Sequence, residues 1–107
     1  MGLFAKEKEA PKNYNVIVTT TNEIVGHEIK EYLGIISGRA FINEVIVTTD
    51  TDGAKDETRK SLQTAERNLK AEAEAIGANA VIGTTVQYTK ARAAILIVLT
   101  GTAVIIE

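Results

Sequence analysis

The stretch Leu62-Gln63-Thr64-Ala65-Glu66-Arg67-Asn68-Leu69-Lys70-Ala71-Glu72-Ala73-Glu74-Ala75-Ile76-Gly77-Ala78-Asn79-Ala80-Val81-Ile82-Gly83 contains the change of hydrophobic period that decides the fold. Leu62, Ala65, Leu69, Ala73 and Ile76 recur three or four residues apart, which places them on one face of a helix. This pattern predicts a helix from Asp56 to Ile76, with Asp52 or Asp56 as its N-cap and Gly77 as a left-handed stop. Asp56 and Glu57 suit the positive end of the helix dipole. Arg59, Lys60, Gln63, Glu66, Arg67, Lys70 and Glu74 make the outer face. Asp56 with Lys60 and Glu66 with Lys70 stand at the i,i+4 spacing of a solvated surface.

Downstream, Ala80 to Tyr88 reads as a strand, Thr89-Lys90-Ala91-Arg92 as a polar turn, and Ala93 to Ile106 as a second strand completing a hairpin. The last strand is apolar at consecutive positions from Ile95 to Leu99 and again from Val104 to Ile106, so both of its faces call for burial. One helix covers one face of a sheet. At ~25 cal/mol per Å² of apolar surface, leaving several Ile, Leu and Val side chains in water forfeits several kcal/mol. A second copy of the chain is the expected cover, with Ile97 as the position to test. The alternative is that the N-terminal strands fold over the open face.

Upstream, Tyr14 to Thr20 is dense in β-branched residues and forms a first strand ending in the turn-prone Thr21-Asn22. A long extended region follows from His27 to Phe41, with Gly34 and Gly38 suited to a bulge or bend and a helical turn as the competing reading. The run Val45-Ile46-Val47-Thr48-Thr49 repeats Val16-Ile17-Val18-Thr19-Thr20, a match of strand composition and not a structural repeat. The fold class is therefore α+β: a small antiparallel or mixed sheet with one long helix packed on one face. Residues 1–13, with Lys6, Glu7, Lys8, Glu9 and the only proline, Pro11, read as a flexible charged N-terminal arm; residues 14–107 read as a single domain.

A chain of 107 residues supports one hydrophobic core. With 45% hydrophobic and 24% charged residues it has globular composition, and its formal charge of −2 sets up no field for nucleic acid or an anionic membrane. The absence of cysteine removes disulfides, thiolate zinc clusters and a Cys nucleophile. The longest apolar run, Ala93 to Leu99, is far shorter than the ~20 residues of a membrane-spanning helix. The polar arm does not resemble a secretory signal, so a cytoplasmic location is expected. Gly2 invites myristoylation, but Lys6 stands where that motif takes Ser or Thr.

The single histidine, His27, adjoins Glu28 and lies near Glu23. Imidazole and carboxylate suit a divalent ion such as zinc, copper or nickel, provided that several subunits pool their donors. The plainer reading of a lone histidine is a hydrogen-bonded surface residue. Asp50, Asp52, Asp56 and Glu57 offer oxygen to a hard cation, but their spacing departs from a calcium loop and fits helix capping better. No nucleophile–base pair, phosphate-cradling loop or isolated carboxylate pair is evident, so the chain reads as non-enzymatic. Thr19, Thr84 and Thr102 read as strand residues. Tyr32 and Tyr88 are candidates to line an inter-subunit cavity or to pack in an interface.

Val18-Thr19-Thr20, Gly26, Tyr32-Leu33-Gly34 with Gly38, Gly77-Ala78-Asn79-Ala80-Val81-Ile82-Gly83 and Gly101-Thr102-Ala103-Val104, in this order from Asn15 to Glu107, resemble the YbjQ or UPF0145 family, often labelled heavy-metal-binding. The resemblance implies a dodecin-like subunit in a homo-oligomer, a pentameric ring in known relatives. The chain departs from the family at His27, at Arg39 and in the segment 43–55, which keeps a single glycine and no arginine where relatives show Gly-Gly-Arg-Ser. An anionic ligand held by that segment in relatives loses its cation here.

These readings converge on a homo-oligomeric protein that binds a divalent metal ion or a small ligand at its subunit interfaces, with His27 and Glu28 as the candidate metal donors. A structural scaffold without a small ligand and an enzyme with an inter-subunit site are the alternatives.

Overall fold

The computed structural model describes residues 14–43 and 51–107. The elements run β1 (Ile17–Val18), β2 (Ile29–Asn43), α1 (Thr51–Ala75), β3 (Ala80–Ala91) and β4 (Ala94–Ile106). They form one four-stranded mixed sheet in the order β1-β3-β4-β2, with α1 packed on one face. β4 lies between β3 and β2 and is antiparallel to both, whereas β1 runs parallel to β3 through Ile17–Ala80 and Val18–Val81. The expected arm, residues 1–13, and the run Val45 to Thr49 lie outside the described residues.

The helix begins at Thr51, a turn earlier than the apolar period suggests, so Asp52 and Asp56 lie inside it and neither is its cap. Its end agrees with expectation. Gly77 has φ +86, its N–H donates to the Glu74 carbonyl at 3.0 Å, and the Ala78 N–H donates to the Ala73 carbonyl at 2.9 Å. That pair of bonds is a Schellman stop, which only a residue at ease in the left-handed region closes cheaply. Ala65, Leu69 and Ala73 are fully buried, while Ile76 at the end of the stripe is exposed.

Small residues let the helix approach the strand backbone. A Cβ at Gly38 would fall against the Ala65 carbonyl oxygen and the Leu69 amide, so α1 rests on bare β2 main chain. Two side chains tie the helix to that strand: Ser61 Oγ donates to the Phe41 carbonyl at 3.1 Å and Asn68 Nδ2 to the Arg39 carbonyl at 2.8 Å. Gly38 therefore serves contact and not a bend. The β2 irregularities lie between Ile29 and Glu31 and between Tyr32 and Gly34, where Gly34 takes φ +129.

The β3–β4 hairpin turns through Arg92 and Ala93, later than the expected Thr89 to Arg92, with φ +52 at Arg92. β1 is much shorter than expected, but the chain beyond it still follows β3. Thr19 N–H donates to the Val81 carbonyl at 2.9 Å, and Gly83 and Thr84 N–H donate to Thr21 and Thr19 carbonyls at 2.8 and 3.0 Å. Asn79 acts as an extra rung of the hairpin. Its Nδ2 donates to the Ile106 carbonyl at 2.9 Å and its Oδ1 accepts from the Ile106 N–H at 2.7 Å.

Paired residues share a face of the sheet, so the register sorts the side chains. Ile42, Ala40, Ile97, Leu99, Val81 and Ala103 meet the helix in the main core. Ile97 is completely buried there by the chain's own helix, so it is not the interface position the sequence suggested. On the opposite face Ala80, Ile82, Val104 and Ile106 form a smaller cluster covered by Ile24 and Ile29. The segment after β1 thus folds over one end of the open face. Phe41 (63% exposed), Ile35 (80%) and Tyr32 (67%) stay in solvent beyond it.

Candidate functional site

The sequence-derived metal candidates sit where β2 begins and β4 ends. His27 Nδ1 lies 3.2 Å from the Glu107 carbonyl, and the Glu107 N–H donates to the Glu28 carbonyl at 3.0 Å. Lys30 Nζ stands 3.2 Å from Glu28 Oε2 and 3.5 Å from Glu107 Oε2, so an ammonium already lies between the two carboxylates. Glu23, His27 and Glu28 line a shallow hollow of about 400 Å³ whose other walls are Ile24, Val25, Gly26 and Ile29. Among the described residues no group of three or more His, Cys, Asp or Glu is close enough to hold a metal ion. Since an ion takes about four ligands, one subunit does not make the site; a neighbour would have to supply the remaining donors.

A second feature lies on the helix side. β3 carries a bulge between Ile82 and Thr85, where Gly83 takes φ +60. Ile82 and Thr85 pair with Thr102 and Thr100 and so face away from the helix, and the extra residue turns Thr84 toward it. Thr84 is 6% exposed, and its Oγ1 has no hydrogen-bond partner. A buried hydroxyl left unpaired costs about 1–3 kcal/mol, and native proteins carry few of them.

Thr84 lines a groove of about 250 Å³ between α1 and β3, together with Val18, Leu62, Val86 and Leu99, and with Thr19, Thr20, Gln63 and Glu66. Thr19 and Thr21 hold that rim in shape: their hydroxyls lie 2.7 Å apart, and Thr21 Oγ1 donates to the Glu23 carbonyl at 2.6 Å. Glu66 is loosely paired with Lys70, at 3.9 Å. Sequence reasoning assigned Thr84 to a plain strand and Gln63 and Glu66 to a wet helix face. The signal for the bulge was there in Gly83-Thr84, since an isolated glycine within a strand often marks one.

Tyr32 and Tyr88 lie on opposite faces of the sheet, by their pairing with Val104 and Ile97, so no cavity within one subunit contains both. Both are exposed, as is Val86. No helix among the described residues is long and apolar enough to cross a membrane.

Residues 16–107 match the family model described as "Putative heavy-metal-binding". A UPF0145 protein of Actinobacillus pleuropneumoniae serotype 5b is 36% identical over 106 residues, covering 86% of this chain and 100% of that protein. Another UPF0145 protein, from Geobacillus kaustophilus, is 37% identical over 101 residues, covering 83% and 96%. Among solved structures, a protein of unknown function in the DUF74 family from Pediococcus pentosaceus superposes with a TM-score of 0.63 at 18% identity, covering 86% of this chain and 98% of that one. At that identity the likeness concerns the fold alone.

Proposed function

Because the chain belongs to the UPF0145 family, we propose that it acts as a cytoplasmic homo-oligomeric binding protein that takes a metal ion or small ligand between its subunits. The observation that supports this reading is the uncovered apolar row on β2: Tyr32, Ile35 and Phe41 are each more than 60% exposed on one face. Burying such a side chain fully is worth about 1.5–3 kcal/mol, so covering three with a second copy yields several kcal/mol. β3 adds a lateral surface, because among the described residues β1 pairs only with Ala80 and Val81, and from Thr85 onward β4 is the one strand paired with β3. An edge beside exposed Val86 and Tyr88 with no second strand among the described residues invites a second copy. Contact between an edge of one copy and a different surface of the next is heterologous, the type of contact that makes a ring when its rotation closes. Five subunits is the count that the family resemblance implies.

A metal ion at such an interface would be held by His27 and Glu28, with further donors from the adjoining copy. Lys30 competes with it for Glu28. Native mass spectrometry of the metal-stripped protein, before and after zinc or copper is added, counts subunits and bound ions together. The expected result is a closed oligomer for the wild type, disrupted by Phe41→Lys with the circular dichroism spectrum retained. A wild type that is monomeric at micromolar concentration refutes the assembly. A bare oligomer refutes the metal and leaves a small organic ligand or a scaffold.

A further inference from the structure

We propose that the ligand taken between subunits is an aromatic carboxylate, seated on the open face of the sheet with its oxyanion on Arg39, Ser37 and Thr100 and its ring on Phe41. This rests on the reading that a second copy covers the row Tyr32, Ile35 and Phe41, and it names what that cover encloses. Arg39 stands on the same strand and the same face as that row, two residues from Phe41 and four from Ile35. It pairs with Val98, whereas the adjacent Ala40–Ile97 pair meets the helix. A copy laid over Ile35 and Phe41 therefore takes the Arg39 guanidinium out of water. Guanidinium stays charged at every physiological pH, and a buried charge without a counter-charge is strongly destabilising.

The strands around Arg39 supply no counter-charge. β3 and β4 contain no acidic residue, and Glu31, the one acid on β2, pairs with Ile105 and so lies on the opposite face. Among the described residues no ion pair engages Arg39. The edge that the next copy brings, β3 from Thr85 onward, has Lys90 as its only charged residue. Neither surface of the contact carries an acid, so the anion is a separate molecule.

The neighbouring positions suit an oxyanion. Ser37, Thr100 and Thr85 pair in one row across β2, β4 and β3, which spaces three hydroxyl-bearing residues about 5 Å apart, with Arg39 one row on at about 7 Å. Thr85 is exposed, and Ser37 and Thr100 are half-buried, so a ligand on the open face can reach them. Hydroxyls donate to a carboxylate, and the planar guanidinium fork matches its two oxygens. On the other side of Arg39, Phe41 pairs with Leu96 and offers a 63% exposed ring to a flat body. The strand beneath is held firmly, since Asn68 Nδ2 donates to the Arg39 carbonyl at 2.8 Å and the helix rests on Gly38.

The test uses 2-naphthoate, with neutral 2-naphthamide as the shape-matched control. Fluorescence anisotropy reads binding to the full chain, and sedimentation velocity reads subunit number in the same samples. The wild type is expected to bind naphthoate at least about tenfold more tightly than naphthamide, the scale of one charge-assisted hydrogen bond. Naphthoate should also hold the oligomer together at greater dilution. Arg39→Met should erase the preference and, without ligand, assemble at lower concentration than the wild type, because the uncompensated charge is gone. Arg39→Lys should restore the preference only in part, since an ammonium lacks the fork. An oligomer that binds both probes equally, or Arg39→Met that still prefers naphthoate, overturns the carboxylate site and leaves the assembly standing. A chain that stays monomeric at micromolar concentration with and without naphthoate overturns the assembly, and the site with it.

Discussion

Replacing Gly38 with alanine is predicted to be the most damaging single-methyl change in the described part of the chain. The added Cβ would sit 2.8 Å from Leu69 Cα and closer still to the Ala65 carbonyl oxygen and the Leu69 amide, all of them helix backbone. Backbone cannot rotate out of the way, so α1 must retreat from β2 by roughly an ångström to restore van der Waals contact. A gap of that size forfeits about a quarter to a half of each dispersion well across the contacts of Leu69, Ala73, Ala40 and Ile97. Overpacking costs about 1–3 kcal/mol, and this site belongs at the upper end. Against it stands up to about 1 kcal/mol from stiffening the unfolded chain, leaving a net loss of about 2–3 kcal/mol. Urea unfolding at fixed protein concentration measures it, with an unchanged slope showing that the midpoint alone has moved. Gly26→Ala is the control: it has φ +83 and no atom within 4 Å, so only the backbone term of about 1–2 kcal/mol applies. Ala65→Gly should give Gly38→Ala no relief, since the clash is with main chain. A Gly38→Ala loss below about 0.5 kcal/mol, or rescue by Ala65→Gly, refutes the close-approach argument.

Three further outcomes are expected. Asn79→Ala removes both bonds to Ile106 and should cost about 2 kcal/mol, with faster amide hydrogen exchange at Ile106 as the local signature. Arg92→Gly should stabilise the chain by about 1 kcal/mol in thermal or urea unfolding, because glycine adopts the turn's φ of +52 without strain. Ile97→Lys places a charge in a completely buried position under the helix, so circular dichroism should show global unfolding and not a change of subunit number.

Part of this architecture is legible in the sequence. The 3.6-residue spacing of Leu62, Ala65, Leu69 and Ala73 with Gly77 behind it already located the helix and its stop, because a periodic face and a left-handed residue are both local signals. The α+β class followed from the strand and helix patterns, and the family from motifs ordered along the chain. The role of Gly38 was not legible, since whether a strand glycine bends the chain or admits a helix depends on what lies above it. Ile97 misled for a related reason: a run apolar at consecutive positions calls for burial of both faces without saying which cover belongs to which residue. In Gly83-Thr84 the bulge was readable but its aim was not, because the direction of Thr84 follows from the register with β4. His27 and Glu28 adjoin in sequence, but the Lys30 ammonium between the Glu28 and Glu107 carboxylates is a product of three-dimensional packing.

The central place of β4 bears on how the chain acquires its structure. β2 and β3 are not neighbours, and each meets the rest of the sheet's antiparallel ladder only through β4, the last of the described elements in chain order. During vectorial synthesis the apolar face of α1 and the length of β2 therefore emerge before the strand that organises them. The β3–β4 hairpin closes quickly because its partners are close in sequence, whereas Gly38 must find Leu99 across more than half the described chain. On contact separation alone the sheet is expected to assemble from its C-terminal half backward, β2 pairing only once β4 is in place.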